Sequence, residues 1–277
     1  MIGTEGADVL SGLGGDDLIL GNDAADTVKA GAGDDLVKGG AGDDVILGNE
    51  GNDDLFGGSG KDLMTGDAGD DRLFGDAGDD VLEGGAGDDR IIANVADGDD
   101  TYWGDAGEDT LDYSAISANI TADLGNGLMQ HGGVSSSQSG TDATFGFENF
   151  IGGSGNDTIT ASSVANVMDG GGGNDTYVFK SAADANGDTI NGFQPGDKID
   201  LSAIDANTGA SGTQSFVLFA GNMFTSAGQV IVTQELKDGV EHTFVEGNTN
   251  SDTVADFKID LGAGNHAVTT ADFNGVH

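Results

Sequence analysis

Residues 39–65 read GGAGDDVILGNEGNDDLFGGSGKDLMT, three nine-residue units whose alignment needs no gap. Each unit opens on glycine, carries glycine again at its fourth place, Asp at its sixth and a large apolar residue at its eighth. Laid along the chain from Gly3, the same ruler fits through Ile92 as ten tandem units of the form G-G-x-G-x-D-x-U-x. The sixth place holds Asp8, Asp17, Asp26, Asp35, Asp44, Asp53, Asp62, Asp71, Asp80 and Asp89. The eighth holds Leu10, Ile19, Val28, Val37, Ile46, Leu55, Met64, Leu73, Leu82 and Ile91. After an insertion of two residues near Asn94 to Asp97 the pattern resumes with Asp100 and Tyr102, then Asp109 and Leu111. It returns beyond Ile151 with Asp157 and Ile159, a degenerate unit with Asn166 and Met168, and Asp175 and Tyr177.

A short period of this kind marks a stacked repeat architecture, in which a unit buries its apolar residue only against its neighbours. Glycines at places one, two and four are expected to allow positive φ and let the backbone curl its carbonyls toward one point. The Asp at place six adds carboxylate oxygens there. Such an all-oxygen set suits Ca²⁺, which takes six to eight oxygen ligands in flexible geometry. The x-U-x that follows is expected to form a short strand with its middle residue inward and its neighbours outward. Two units then make one 18-residue coil. Asp8, Asp26, Asp44, Asp62 and Asp80 should line one flank, and Asp17, Asp35, Asp53, Asp71 and Asp89 the other. With Asp100, Asp109, Asp157 and Asp175 these are the candidate metal ligands. The acidic or amide residues at place five (Asp16, Asp34, Asp43, Asn52, Asp70, Asp79, Asp88) read as solvated charge.

Composition agrees. Of 277 residues 51 are Gly, and 49 acidic side chains against 9 basic ones give a net charge of -40; 41 of the acids are Asp. That field disfavours nucleic acid and anionic lipid and attracts cations. A charged tail without structure would show no fixed period. No Cys is present, which excludes disulfides and thiolate metal sites. Neither a cleavable signal peptide nor an 18-residue apolar stretch occurs, so no membrane span is expected.

The nonapeptide resembles the calcium-binding repeat of the RTX family. That resemblance implies a right-handed parallel β-roll, type I secretion from a Gram-negative bacterium and folding on meeting extracellular calcium. From ENFIGGSGNDTITASSVANVMDGGGGNDTYVF through FQPGDKIDLSAID, residues 148–277 resemble the C-terminal domain of serralysin-type metalloproteases. The tail Thr270, Ala271, Asp272 and Phe273 is similar to the uncleaved export signal of that class, although Asn274, Gly275 and His277 depart from it.

The fold expected is all-β: a parallel β-roll over 1–112, a strand-and-loop insertion over 113–151, a second short roll segment over 152–178, and an antiparallel β-rich cap over 179–277. Phe145, Phe147 and Phe150 are assigned to core, Tyr102 and Trp103 to a packing pair at the end of the roll, and the four histidines (His131, His242, His266, His277) to the surface. A further oxygen-ligand loop is suggested by Asn248, Asn250, Asp252 and Asp256. No H-E-x-x-H, G-x-S-x-G or P-loop occurs, so the chain reads as non-enzymatic. The function expected is a secreted calcium-binding module that folds on multiple Ca²⁺ ions. Two other readings stay open: the C-terminal module of an exported protease or polysaccharide epimerase, and a structural surface-layer or adhesive protein. A cell-surface or polysaccharide partner cannot be named from these residues.

Overall fold

The computed structural model describes residues 1–125 and 132–277; His131 lies outside the described residues. Strands form around x-U-x but run longer than it, through the positive-φ residue at place two. Leu36–Ala41, Val45–Glu50, Asp54–Ser59 and their neighbours are six residues each, spanning place seven of one unit to place three of the next. The alternation of a strand then sends two positions inward, the apolar eighth and the first of the following unit.

This corrects the reading of the first glycine. Positive φ occurs at place two (Gly40, Gly58, Asn49) and place four (Gly42, Gly60), and place-one Gly39, Gly48 and Gly57 do not adopt it. Place one, glycine in nine of the ten units and Ala30 in the other, is small because it faces inward against a carboxylate. A Cβ on Gly39 would sit 2.3 Å from Asp44 Oδ2.

Each coil stacks on the next in parallel with an 18-residue register, Val28 beside Ile46 and Ile46 beside Met64 in one sheet, Val37 beside Leu55 and Leu55 beside Leu73 in the other. Among the described residues two thirteen-stranded sheets result, and the eighth-place side chains form one buried column between them. Fully burying a Leu or Ile contributes about 1.5–3 kcal/mol, so over residues 3–92, where Ala30 is the one other buried apolar side chain, the column supplies most of the apolar stabilisation.

The sheets do not break where the sequence period does. One passes from Arg90–Ile92 to Thr110–Asp112, Asn149–Ile151, Val167–Asp169 and Thr189–Asn191, always in parallel. The other passes from Thr101–Ala106 to Gly140–Phe145, then through antiparallel Gly132–Ser136 to Ile120–Asp123 and on to Thr158–Thr160. Beyond Thr189–Asn191 the first sheet continues into Phe257–Ala263, Val240–Asn248 and Gln229–Lys237, the last two pairings antiparallel, and ends on Val217–Leu218. Phe273–Asn274 ends the second sheet against Lys198–Asp200. The C-terminal region therefore lengthens both sheets, with Phe216, Phe257, Ile259 and Leu261 joining the same core. Among the described residues no helix is long and apolar enough to cross a membrane.

Several side-chain assignments change. Tyr102 and Trp103 are neighbours on one strand and so point to opposite faces: Tyr102 is buried, while Trp103 stacks outside on Phe145 with ring centroids 3.9 Å apart. Phe147 and Phe150 are core, and Phe145 belongs to that outer stack. His277 is exposed, but His242 is half-buried with Nδ1 2.8 Å from the buried Asp260 carboxylate, and His266 is half-buried as well.

Candidate metal centre

The place-six carboxylates form two ladders. On one flank the backbone N–H of Asp8 donates to Asp26 Oδ1 at 2.7 Å, and the same bond repeats from Asp26 to Asp44, Asp44 to Asp62, Asp62 to Asp80 and Asp80 to Asp100. On the other flank it runs from Asp17 through Asp35, Asp53, Asp71 and Asp89 to Asp109, at 2.7–2.9 Å. One oxygen of each carboxylate is thereby fixed by the coil before it.

The second oxygen is left without a partner. Oδ2 of Asp17, Asp26, Asp35, Asp44, Asp53, Asp62, Asp71, Asp80, Asp89, Asp109 and Asp175 is buried and accepts no hydrogen bond. Burial accordingly pushes Asp35 and Asp44 up, against the pull of the preceding backbone N–H, and in the same way Asp53, Asp62 and Asp71 to about 6 and Asp80, Asp89, Asp109 and Asp175 to about 7. A buried, unpaired carboxylate oxygen is costly unless a proton or a cation meets it.

Backbone oxygen faces the same space. The point where a Gly39 Cβ would stand lies 2.3 Å from Asp44 Oδ2 and 2.6 Å from the Gly57 carbonyl oxygen one coil on. The corresponding distances at Gly48 are 2.4 Å to Asp53 Oδ2 and 2.7 Å to the Gly66 carbonyl. Among the described residues no three acidic or imidazole side chains converge on one point. A cation here would be held by carboxylate and carbonyl oxygens together, the donor chemistry that Ca²⁺ accepts.

Not every predicted residue presents this bare oxygen. Asp8 Oδ2 accepts from the Thr4 N–H and hydroxyl, Asp157 Oδ2 from the Gly153 N–H at 3.1 Å, and Asp100 Oδ2 from the Tyr102 hydroxyl. Conversely, the ladders include residues that the repeat did not reveal. Asp100 N–H donates to Asp142, Asp109 N–H to Glu148, Asn166 N–H to Asp188 and Asp175 N–H to Asp197. Asp188-Thr-Ile and Asp197-Lys-Ile keep the D-x-U signature without the full set of glycines, a signal that could have found them. Asp142 and Glu148 carry no such signal.

The place-five residues are exposed, yet they form a second ladder of opposite sense. Asn52 N–H donates to Asp34 Oδ1, Asp70 N–H to Asn52 Oδ1 and Asp88 N–H to Asp70 Oδ1, each at 2.9 Å. Asn serves as well as Asp, so this bond uses an acceptor and not a charge. The loop at Asn248 to Asp256 is closed by its own hydrogen bonds: Asn248 Nδ2 donates to the Asp252 and Val254 carbonyls, and Asp256 accepts from Thr249 and Asn250.

The RTX calcium-binding nonapeptide repeat profile matches residues 2–37, 30–64 and 65–95, and the profile described as Peptidase M10 serralysin C terminal matches 99–274. The second match begins well before residue 148 and takes in the interrupted coils. No curated protein matches the chain significantly. Among solved structures, the AlgE6R3 subunit of the Azotobacter vinelandii mannuronan C5-epimerase is 16% identical over 91% of this chain and 79% of that one, with a TM-score of 0.19, too low to carry geometry across. With its profile covering more than half of the residues, the chain belongs to the serralysin C-terminal family and carries RTX calcium-binding nonapeptide repeats ahead of that module.

Proposed function

We propose that this protein is a secreted, non-catalytic calcium-binding module in which the bound ions supply the free energy of folding outside the cell. The observation that carries this reading is the double row of buried, partnerless Oδ2 atoms facing backbone carbonyls. At neutral pH that arrangement is untenable without a counter-charge, so Ca²⁺ binding and roll formation become one equilibrium. Asp26, Asp35, Asp44, Asp53, Asp62, Asp71, Asp80 and Asp89 are the principal ligands, with Asp17, Asp109 and Asp175 at the margins. Low calcium would keep the chain expanded by its own charge, and millimolar calcium would fold it after export. Membership of a family defined on a protease's C-terminal region favours a second role, as the folding and export module of a larger secreted enzyme.

The test is a titration followed by far-ultraviolet circular dichroism at constant ionic strength. Ca²⁺ should produce β structure in a cooperative transition. Equal Mg²⁺ should not, because it demands octahedral geometry and retains its waters. A chain that is already β-structured in excess chelator at pH 7.5 would refute the reading.

A further inference from the structure

The first ladder changes its chemistry at the coil that carries the two-residue insertion. Gly78 N–H donates to the Asp97 carbonyl as Gly60 N–H donates to that of Ala77, which puts Asp97 at place three, while Ala93 N–H donates to the Asp112 carbonyl as Gly12 N–H donates to that of Lys29, which puts buried Ala93 at place one and the two extra residues between them. In the regular coils place three looks outward. Asp97 is instead 2% exposed; its Oδ2 accepts the Asn94 N–H at 2.6 Å, and its Oδ1 is buried with no partner.

In the same coil Asp100 has lost the bare oxygen of its peers. Its Oδ2 accepts from the Tyr102 hydroxyl at 2.6 Å, and in the next coil Asp142 Oδ2 accepts from Tyr113 at 2.5 Å. Both tyrosines are buried, so neither hydroxyl can turn to water instead. Tyr177 provides an internal comparison. It too occupies place eight, but its hydroxyl accepts the Gly170 N–H at 2.9 Å, and Asp175 Oδ2 in that coil stays bare. A tyrosine at place eight therefore need not engage a carboxylate. Asp97 lies close enough to Asp100 and Asp142 for their charges to act on one another, so the exchange of roles takes place within one cluster.

A cation approaching Oδ2 of Asp100 or Asp142 would have to displace the buried hydroxyl that donates to it. At Asp97 Oδ1 it would displace nothing. We infer that Asp97, rather than Asp100, is the carboxylate this coil offers to calcium, and that Tyr102 and Tyr113 withdraw Asp100 and Asp142 from the metal row. The inference rests on the calcium reading above and adds a ligand that the repeat pattern does not contain.

The experiment counts Ca²⁺ per full-length chain by atomic emission after gel filtration in calcium buffer. Asp97→Asn should lose one ion, and Asp100→Asn and Asp142→Asn should lose none. Adding Tyr102→Phe to Asp97→Asn, which frees Asp100 Oδ2, should restore the count. An unchanged count in Asp97→Asn, or a loss in Asp100→Asn, overturns the assignment of the ligand; absence of rescue overturns the role of Tyr102. Should Asp97→Asn fail to give β structure in saturating calcium, the calcium anomalous signal in crystals of the wild-type chain decides. An ion within coordination distance of Asp97 Oδ1 supports the inference, and one on Asp100 Oδ2 instead refutes it. A wild-type chain that binds no calcium at all would defeat the calcium reading itself, a separate outcome.

Discussion

Protons should do part of the work of calcium. Take the full chain in excess chelator and lower the pH from 7.5 to 5. Asp80, Asp89, Asp97, Asp109, Asp175 and Asp188 are held at about 7 in the fold, and Asp53, Asp62 and Asp71 at about 6, against 3.8 in the open chain. For a carboxyl raised on folding, neither state is charged well below 3.8 and no penalty exists. Between 3.8 and the folded value the open chain ionises first, and the penalty on folding grows with each pH unit. Above about 7 it is constant and complete. At face value a rise to 7 disfavours the fold by about 4 kcal/mol per group, and the nine groups together by on the order of 30 kcal/mol. Solvent and salt screening leave about a third of that, on the order of 10 kcal/mol. This still matches the whole stability of an ordinary domain, about 5–15 kcal/mol.

The metal-free chain is therefore expected to be unfolded at pH 7.5 and to gain β structure at pH 5, with calcium abolishing the difference. Circular dichroism reads the change, with light scattering beside it because the isoelectric point is near 4.1. Relief of overall charge repulsion would move the chain in the same direction, so salt separates the two causes. Potassium chloride at 1 M shortens the Debye length to about 3 Å and quenches repulsion between exposed carboxylates, but it does not solvate a buried Oδ2. At pH 7.5 it should not restore the fold. If 1 M salt folds the metal-free chain at pH 7.5, or if pH 5 does not fold it, the argument from buried carboxylates is wrong.

Replacing Asp44 and Asp62 together by Ala removes two charge-assisted acceptors, about 1.5–3 kcal/mol each, as well as two bare oxygens. The calorimetric calcium midpoint should rise at least tenfold, whereas Asp43 and Asp70, exposed acceptors for Lys61 and Asp88 N–H, should cost ~1 kcal/mol or less each when replaced; equal effects would show that the two ladders are equivalent. Gly57→Ala places a Cβ 2.3 Å from Asp62 Oδ2 and should raise the calcium midpoint, while Gly172→Ala, with no atom nearer than 3.7 Å, should not; like behaviour of the two in the same titration would refute the close-approach account of place one. Leu73→Ala empties a fully buried site between Leu55 and Ile91 and should lower stability in urea with saturating calcium by about 2–5 kcal/mol; a loss below 1 kcal/mol would mean that the column is not the main apolar support.

How much of this was legible in the sequence depends on what the period measures. From Asp8 to Asp89 the residues of successive rungs are 18 apart, so a ruler in sequence is also a ruler in space. The strands, the inward eighth place and the two flanks follow from it. The reason for the first glycine did not, because the strand extends through places one to three and only the full strand shows that place one faces the carboxylate. At Asp80 to Asp100 the separation becomes 20 and at Asp100 to Asp142 it becomes 42, while the rung itself, one backbone N–H on one carboxylate, is unchanged at 2.7 and 3.0 Å. A coil can take in extra chain wherever a loop or hairpin leaves and returns to the same edge, and the ladder registers only the return. Asp142 and Glu148 are therefore invisible to periodicity although they are rungs in space.

The same geometry explains why glycine becomes less regular along the chain. In the early coils place one is glycine in nine of ten units, Ala30 being the exception, because a carboxylate and a facing carbonyl both crowd the space in front of it. Where a protein donor satisfies the carboxylate instead, as Tyr102 does for Asp100 or the Gln194 N–H for Asp197 at 2.8 Å, that requirement lapses. Ala93 then stands buried at place one. Loss of the motif and loss of dependence on an external cation are two readings of one change in hydrogen bonding. The ten regular units are the part of the roll that most needs a cation, and the coils from Asn94 onward hold more of their carboxylates by the chain's own donors.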